Sequence, residues 1–487
     1  MASDLAPARA KNLLVLISDE HRKDAMGCVG HPIVQTPHLD ALAARGTLFS
    51  NAYTPSPMCV PTRAALACGD HVHRIRHWDS ATPYDGQRPS WMHALRQTGM
   101  EVTSIGKLHY RSGADDNGFS QEILPMHVHQ GVGWPVALLR RDPPVYDSAA
   151  ELAADVGVGP SSYTDYDRAI TEAAEAWLHG KSGSQAPWAG VVSLVSPHYP
   201  LTAPDAYFAL YDPARMDRPV GYAAAERPDH PELAKLARFF DYDRYFDTQK
   251  IGEAKAAYYG LISFMDACVG RILAALEASG QAEETLVVYV SDHGDMMGDL
   301  GFWTKQVMYE ASAGVPMIAA GPGIPAGHTV ATGASLLDIS ATAREVAGLE
   351  PQPSGGALPG LSLRALATAP DDPDRTVFSE YHDGGSGTGT FMVRWQNWKY
   401  VHYVGARPQL FDLARDPGEL TDLGRSDAPE ARTRAALQEG ARRLREICDP
   451  EAVNALCFAD QARRIAELGG EEACRSAYTF NHTPVPQ

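Results

Sequence analysis

Residues 285–295 read TLVVYVSDHGD. The β-branched and aromatic residues of this run predict a strand, and the nearly continuous apolar character is typical of a strand buried on both faces of a mostly parallel sheet. Polar residues follow the run at once, beginning with Asp292 and His293. The stretch therefore predicts a buried strand with reactive side chains at its carboxyl end.

Other short apolar runs have the same character, and helical patterns separate them. They lie at 13–18, 101–106, 189–196 and 315–320. A long pattern rich in Ala, Leu and Ile predicts a helix over 251–279 that ends before Gly280. This alternation predicts an α/β fold with a large, mostly parallel central sheet flanked by helices.

The C-terminal part of the chain has a different composition. From about residue 375, aromatic and β-branched runs with Gly-rich or Pro-containing breaks predict a smaller antiparallel sheet, and a helix over about 428–447 would pack on it. We therefore predict an α/β catalytic domain over 1–370, an α+β subdomain over 371–448 and a tail over 449–487. The tail is expected to contain one short helical stretch.

The tail carries apolar residues that should be buried somewhere, and packing against a second subunit would bury them. They are Leu456, Phe458, Ile465, Leu468, Tyr478 and Phe480. We therefore predict a homo-oligomer, either a homodimer or a homotetramer.

Charge and composition exclude several classes of protein. The formal net charge of −18 disfavours nucleic-acid binding, and an anionic substrate would have to be drawn by a local cationic pocket. No apolar run approaches the roughly 18 residues of a membrane span. The seven cysteines are odd in number and scattered, which favours a reducing compartment. We expect a cytoplasmic protein that binds neither membrane nor nucleic acid.

Charged and polar side chains cluster where the predicted strands end. Ligands bind beyond the carboxyl ends of the strands in open α/β sheets, so these side chains should meet. Their number indicates a single metal-containing site. They are Asp19, Glu20, Lys107, His109, His198, Asp292, His293 and, ahead of the last strand, Lys305.

Residues 56–63, SPMCVPTR, predict an anion site at a helix start. Pro61 suits the first helical position, which places Cys59 at the mouth of the helix. Arg63 lies about one turn further on and can point back towards that mouth. The local pattern alone leaves the role of the sulfur open.

CVPTR at 59–63 resembles the Cys-x-Pro-Ser/Thr-Arg signature of the sulfatases, in the alkaline phosphatase superfamily. Other segments are also similar to that family, in the same order and up to about residue 425, and the subgroup they resemble is that of arylsulfatases and choline-sulfatases. They are TPHLDALAARGTLFSNAY at 36–53, GKLH at 106–109, SDHGDMMGDLGFWTK at 291–305 and QLFDLARDPGE at 409–419.

The resemblance implies a reaction and a modification. In sulfatases a formylglycine-generating enzyme oxidises the signature cysteine, here Cys59, to an aldehyde that is hydrated at rest. A metal-bound oxygen of this gem-diol attacks sulfur and releases the alcohol, and the second hydroxyl then expels sulfate. The implied function is hydrolysis of a small organic (aryl or alkyl) sulfate monoester.

The resemblance also implies roles for single residues. Asp19, Asp292, His293 and the modified Cys59 match the positions that hold one divalent cation. Calcium is favoured, and the nitrogen of His293 makes manganese a second possibility. Glu20 stands where many sulfatases have a further metal Asp, so its role is open.

The remaining matches concern the substrate. Arg63 and Lys107 would orient the diol and offset its charge, and His109 resembles the base that drives sulfate release. His198 and Lys305 resemble the pair that contacts the ester and protonates the leaving oxygen.

Two alternatives stay open. A phosphonate monoester or phosphate ester hydrolase of the same superfamily would use the same residues, and a non-catalytic relative that binds anions would keep the fold.

The pocket for the organic group is poorly specified by the sequence. Ser80 stands where close relatives often carry Asn, and EYHDGG at 380–385 is either a pocket loop or a plain hairpin break. The candidate rim aromatics are Trp78, Trp134, Tyr199 and His382.

Overall fold

The computed structural model describes residues 10–144, 148–350, 358–477 and 483–486. Within these residues the strands are β1 (Asn12–Asp19), β2 (Thr47–Phe49), β3 (Ala52–Tyr53), β4 (Glu101–Lys107), β5 (Gln121–Met126), β6 (Gly157–Val158), β7 (Trp188–Pro197), β8 (Thr202–Ala203), β9 (Thr285–Ser291), β10 (Met317–Ala320), β11 (His328–Val330), β12 (Ala334–Ser335), β13 (Val377–Tyr381), β14 (Thr390–Trp395), β15 (Trp398–Tyr403) and β16 (Gln409–Asp412).

The α-helices of the same residues are α1 (Pro37–Ala44), α2 (Cys59–Cys68), α3 (Val72–Ile75), α4 (Trp91–Gln97), α5 (Ser148–Ala154), α6 (Ser162–His179), α7 (Asp205–Phe208), α8 (Pro231–Phe240), α9 (Thr248–Ala278), α10 (Glu310–Ala313), α11 (Asp338–Val346), α12 (Leu363–Thr368), α13 (Ala431–Ile447), α14 (Pro450–Glu467) and α15 (Glu471–Arg475).

The central sheet has eight strands in the order β11-β2-β10-β9-β1-β7-β4-β5. The five strands from β9 to β5 run parallel, with Leu14 of β1 opposite Gly190 of β7 and Val287 of β9. Alternate residues of β1 enter two hydrophobic clusters: Leu14 lies in one and Leu13 in the other. Both faces of the sheet are thus covered, and the predicted α/β fold with its mostly parallel sheet is confirmed.

The last predicted strand of this sheet, 315–320, differs from its neighbours. It forms β10, which is shorter than predicted and antiparallel to β9, with Met317 opposite Val290. The connection between the two strands contains only one short α-helix, α10, so the chain returns beside β9 without crossing over the sheet.

Helix α9 is the long helix that the sequence predicts, and it packs against α6 and β7. Among the described residues it alone is long and apolar enough to cross a membrane by length and composition. Most of its most apolar segment is buried inside the protein, as in the core helix of a folded domain.

The smaller sheet is antiparallel, as predicted, with the order β13-β14-β15-β16. The aromatic run at 391–404 splits into β14 and β15 at a tight turn, where Gln396 has a positive φ of 47°. Helix α13 lies close on this sheet because residue 440 is glycine. A β-carbon there would approach the ring of Tyr400 to 2.5 Å.

The expectation of one short helix in the tail is wrong. The tail forms α14, of 18 residues, and the shorter α15. The buried face of α14 includes Val453, Cys457 and Gln461. These residues recur every four positions over about two turns, an amphipathic spacing that the sequence prediction missed.

The tail packs on its own chain. Ile465 and Leu468 contact a buried cluster that includes Leu138 and Cys474, whereas Leu456 is exposed. Tyr478 and Phe480 lie outside the described residues. These contacts bury part of the tail without a second subunit, and the homo-oligomer and the domain boundaries stay predictions.

Candidate active site

Four adjacent strands of the central sheet bring the predicted residues to one edge. In the order β9-β1-β7-β4, their carboxyl ends carry or directly precede Asp292, Asp19, His198 and Lys107. The first residue of α2, Cys59, contacts this edge, and all of α2 is buried. Pro61 is the third helical residue and not, as predicted, the first. At the third position its missing N–H still removes no intrahelical hydrogen bond.

The loop between β9 and β10 delivers Lys305 to the same place. Asp295 accepts hydrogen bonds from the backbone N–H groups of Met297 (2.7 Å) and Thr304 (3.0 Å). These bonds fasten the loop back on itself. Lys305 therefore lies near the strand end from which the loop departs.

Arg63 and Lys107 neutralise the two buried aspartates. Arg63 donates from Nε to Asp292 (2.8 Å) and from Nη2 to Asp19 (3.1 Å), and Lys107 Nζ lies 2.5 Å from Asp19. Burial opposes the charge of Asp19, but Lys107, His198 and Arg63 outweigh it and hold the pKa of that carboxyl well below its usual value. Asp19 is therefore a carboxylate at neutral pH.

Cys59 lies among these groups. Its Sγ atom is 3.1 Å from Nε2 of His293, 3.4 Å from Nζ of Lys305 and 3.7 Å from Oδ1 of Asp19. Burial, followed by the charge of Asp19, raises the pKa of the thiol to about 11. With only the protein's own charges around it, Cys59 is a protonated thiol, and a thiol is a poor nucleophile.

The predicted metal residues have a geometry and chemistry that fit a divalent cation. One ligand atom each from Asp19, Cys59, Asp292 and His293 can be chosen so that all four lie within 4.8 Å of one another, and all four residues are buried. His293 donates from Nδ1 to the carbonyl of Gly294 (3.0 Å), which leaves Nε2 as the coordinating nitrogen. Two carboxylates and one imidazole suit calcium or manganese.

Glu20 turns away from this set towards the substrate side. Its Oε2 lies 3.2 Å from Nζ of Lys305 and 3.4 Å from Nε2 of His198, and its backbone is left-handed, with φ 70°. Together with Asp19 and His198 it forms a second possible metal-ligating group. Burial, as the main cause, raises the pKa of the Glu20 carboxyl well above its usual value.

His198 and Lys305 form the predicted pair, and the direction of the hydrogen bond between them can be assigned. Nδ1 of His198 lies 2.7 Å from the carbonyl of Tyr199, and Nε2 lies 2.9 Å from Nζ of Lys305. A carbonyl only accepts, so Nδ1 carries the hydrogen and Nε2 accepts from Lys305. Burial and the charge of Lys305 keep the pKa of His198 well below its usual value, so Lys305 is the hydrogen donor of the pair.

His109 lies in the same cavity as Cys59 and is almost fully buried. Neither of its ring nitrogens has a hydrogen-bond partner among the described residues. Burial, with the charge of Lys107, lowers the pKa of His109 well below its usual value. The ring is therefore neutral at neutral pH and a weaker base than a solvent-exposed imidazole.

Several residues of the site carry no signal in the sequence. Ser193 accepts from Nη1 of Arg63 (2.9 Å), and the ring of Tyr163 lies 6.0 Å from Nζ of Lys107. Asp167 accepts from the backbone N–H groups of Val195 and Ser196, just before His198. Each lies within an ordinary strand or helix pattern, and only the fold brings it to the site.

The cavity above Cys59 has a volume of about 90 Å³ and a largely apolar wall. Two of the candidate rim aromatics, Trp134 and Tyr199, line it, as does Ser80. The other two are not among its lining residues. Trp78 and His382 pack against each other in an edge-to-face contact 5.2 Å apart and lie beneath the tail.

Two comparisons with known proteins, one with family models and one with single relatives, agree with the family resemblance of the sequence. The family described as Sulfatase matches residues 11–349, and the C-terminal family of N-sulphoglucosamine sulphohydrolase matches residues 298–446. The chain is 30% identical to a choline-sulfatase of Rhizobium meliloti (strain 1021), over 97% of this chain and 94% of the relative. It is also 30% identical to human (Homo sapiens) arylsulfatase K, over 85% and 79% of the two chains.

Among solved structures, the phosphonate monoester hydrolase of Agrobacterium radiobacter has a similar fold. Its TM-score is 0.73 at 26% identity, with 90% of this chain and 95% of that chain covered.

Proposed function

The chain belongs to the sulfatase family and is a sulfuric ester hydrolase, and from this premise we propose that its substrate is a small organic (aryl or alkyl) sulfate monoester. The observation that carries the proposal is the joint position of Cys59, His109, His198 and Lys305 on one small cavity. The apolar wall of that cavity suits an aryl or short alkyl group.

We propose that Cys59 acts after conversion to formylglycine by a formylglycine-generating enzyme. The position of Cys59 in CVPTR, at the start of α2 in a chain that matches the sulfatase family, supports a modified residue. As an aldehyde hydrate, residue 59 supplies one hydroxyl that displaces the alcohol from sulfur and a second whose loss of a proton releases sulfate.

A divalent cation fits the set formed by Asp19, Asp292, His293 and residue 59, where it would lower the pKa of a hydroxyl group and offset the charge of the sulfate. Calcium is the first candidate and manganese the second. Arg63 keeps both aspartates oriented towards the set, because its Nε and Nη2 atoms contact one aspartate each.

The leaving group and the sulfate need separate proton transfers. Lys305, held against His198, is placed to donate a proton to the leaving oxygen on one side of Cys59. His109 is neutral, and its ring nitrogens have no partner among the described residues, so it is suited to take the proton whose loss releases sulfate. Lys305, with its partner His198, and His109 would thus serve different halves of the reaction.

Phosphonate monoester hydrolysis is the second candidate, because the phosphonate monoester hydrolase has 26% identity and a TM-score of 0.73. One preparation should be assayed with an aryl sulfate and the matching aryl phosphonate monoester. We expect a larger kcat/KM for the sulfate. A larger value for the phosphonate would reverse the order of the two candidates, and Cys59→Ala should abolish both activities.

Two properties are proposed without a structural argument. We propose a homodimer or homotetramer because of the apolar residues in the tail, and a cytoplasmic location because of the seven scattered cysteines. Light scattering of the purified chain and fractionation of the source cells would test them.

A further inference from the structure

A second cavity, of about 460 Å³, lies beside the first and is lined by cations. Helix α8 contributes Lys235 and Arg238, and the segment before α5 contributes Arg140 and Arg141. None of its described lining residues is acidic. On a chain with a net charge of −18, such a concentration of positive charge is a local exception.

Most of these cations lack a carboxylate partner. Within the described residues, neither Arg141 nor Arg238 forms an ion pair, and the guanidinium of Arg141 lies 4.6 Å from the ring centre of Phe458. Lys235 is the exception, since Oε1 of Glu232 lies 2.7 Å from its Nζ. The cavity therefore keeps a positive charge that the surrounding acids do not cancel.

Arg140 is the buried member of the group, at 2% exposure. It donates from Nε to the carbonyl of Ser386 (2.9 Å) and from Nη1 to Oε1 of Gln461 (3.1 Å). Its Nη2 atom has no hydrogen-bond partner among the described residues. The guanidinium of Arg140 is held by its own chain, also lies 4.7 Å from the ring centre of Phe458, and adds positive charge to the wall of the cavity.

The glycine-rich loop after β13 forms the opposite wall. No described residue accepts a hydrogen bond from the backbone N–H of Gly385 or Gly387, and both residues line the cavity. Gly385 has φ 78°, and a β-carbon there would lie 2.7 Å from Cδ1 of Phe239. Because residue 385 is glycine, the loop lies close to α8. The backbone N–H groups of Gly385 and Gly387 are therefore donors next to the cations.

Within the described residues, the two cavities adjoin at consecutive residues of α8. Phe239 lines the cationic cavity, and the next residue, Phe240, lines the one above Cys59. The ring centre of Trp134, which also lines the catalytic cavity, is 6.2 Å from that of Phe239. A ligand in the cationic cavity would therefore lie beside the substrate pocket.

We propose that this cavity is an oxyanion-binding site for a sulfate or carboxylate group. Arginine side chains and free backbone N–H groups are the donors that recognise such anions. The anion is either a second acidic substituent on the substrate or free sulfate from solution, and the first of these sources rests on the proposed function. EYHDGG at 380–385 is then the start of a ligand-binding loop.

Direct binding tests the site without turnover. Radiolabelled inorganic sulfate is titrated by equilibrium dialysis onto the full-length Cys59→Ala protein and onto the same protein with Arg141→Glu and Arg238→Glu. The matched control carries Arg45→Glu and Arg271→Glu, exposed arginines just after α1 and on α9 that line neither cavity. Circular dichroism and thermal melting confirm that all three proteins are folded.

We expect the parent and the control to bind sulfate with similar affinity at this site. The Kd of the pocket variant for the same site should be at least about tenfold larger. Equal binding by all three proteins would overturn the proposal. Because no turnover is measured, an inactive enzyme with an intact pocket would still bind sulfate at this site, so failure of the proposed function is distinguished from failure of the site.

Kinetics with unmutated Cys59 assign the source of the anion. Phenyl sulfate and 4-carboxyphenyl sulfate are compared in the parent, the pocket variant and the control. A KM that rises in the pocket variant for the carboxylated ester alone assigns the site to the substrate. If the ratio of the KM values for the two esters is the same in the pocket variant as in the parent, while the variant has lost sulfate binding, the site is assigned to free sulfate.

Discussion

The edge of the central sheet and the junction beneath helix α14 both bury charged side chains, but they leave different groups unsatisfied. At the junction, Asp460 accepts from Arg76 and Trp78, and Gln461 donates to Asp79 and to the carbonyl of His382. At the sheet edge, Cys59 lines a cavity together with His109, whose ring nitrogens have no hydrogen-bond partner among the described residues.

The difference shows that buried charge alone does not mark an active site. Both regions contain aspartates paired with arginines, and both have residues below one tenth exposure. Among the described residues, the sheet edge places Cys59, His109 and Lys305 together on one cavity, whereas the cavity beside Asp460 is lined by no cysteine. Mutations at the sheet edge should therefore affect activity, and mutations at the junction should affect stability.

The largest effect is expected for Asp292→Asn. The amide keeps an acceptor for Arg63 but removes one charged ligand, so kcat/KM should fall by more than the roughly 10–100-fold loss that supporting residues of metal sites cause. Calorimetric titration with calcium and, separately, with manganese should show weakened binding of whichever ion the parent binds.

Asp338→Asn is the matched control, because Asp338 is a buried aspartate paired with Arg375 at 2.6 Å, outside the cavity. It should lower the free energy of unfolding while leaving cation binding unchanged. If Asp292→Asn keeps both cation affinity and turnover, Asp292 does not bind the metal.

A smaller and more selective effect is expected for the proton-donating pair. Lys305→Met and His198→Ala should each reduce kcat/KM for an alkyl sulfate about 10²-fold or more beyond the loss for a nitrophenyl sulfate, because an alkoxide needs a proton to leave and an acidic phenolate does not.

His71→Ala is the control for this comparison, since His71 is buried but does not line the cavity. It should not change the ratio of the two rates. Equal losses on the two substrates in the Lys305 and His198 variants would assign the pair to sulfate binding instead of proton donation.

The sequence predicts the sheet edge better than it predicts the junction. Strand-end residues such as Asp19, Lys107 and Asp292 could be grouped because parallel strands place their carboxyl ends at one edge. Asp167 and Tyr163 could not, since they lie on α6 and reach the site only through the way that helix packs on the sheet. Two of the pairs that hold α14, Trp78 with Asp460 and Asp79 with Gln461, join residues more than 300 positions apart, and no local pattern encodes such contacts.

The smallest effect on activity is expected at the junction. Gln461→Ala leaves Asp79 and Arg140 each without one hydrogen-bond partner and should lower the free energy of unfolding by about 1–3 kcal/mol. Urea denaturation measures this, with the exposed Gln249→Ala as a control that should change stability by less than about 0.5 kcal/mol. Equal stability of the two variants would contradict a structural role for the junction.

The account depends most on the chemical state of residue 59, which mass spectrometry measures directly. Trypsin should release residues 46–63 as one peptide from active protein purified from its native source. We predict that position 59 carries an aldehyde in place of the thiol and that a hydrazine reagent traps it. An unmodified cysteine in fully active protein would contradict the proposed mechanism.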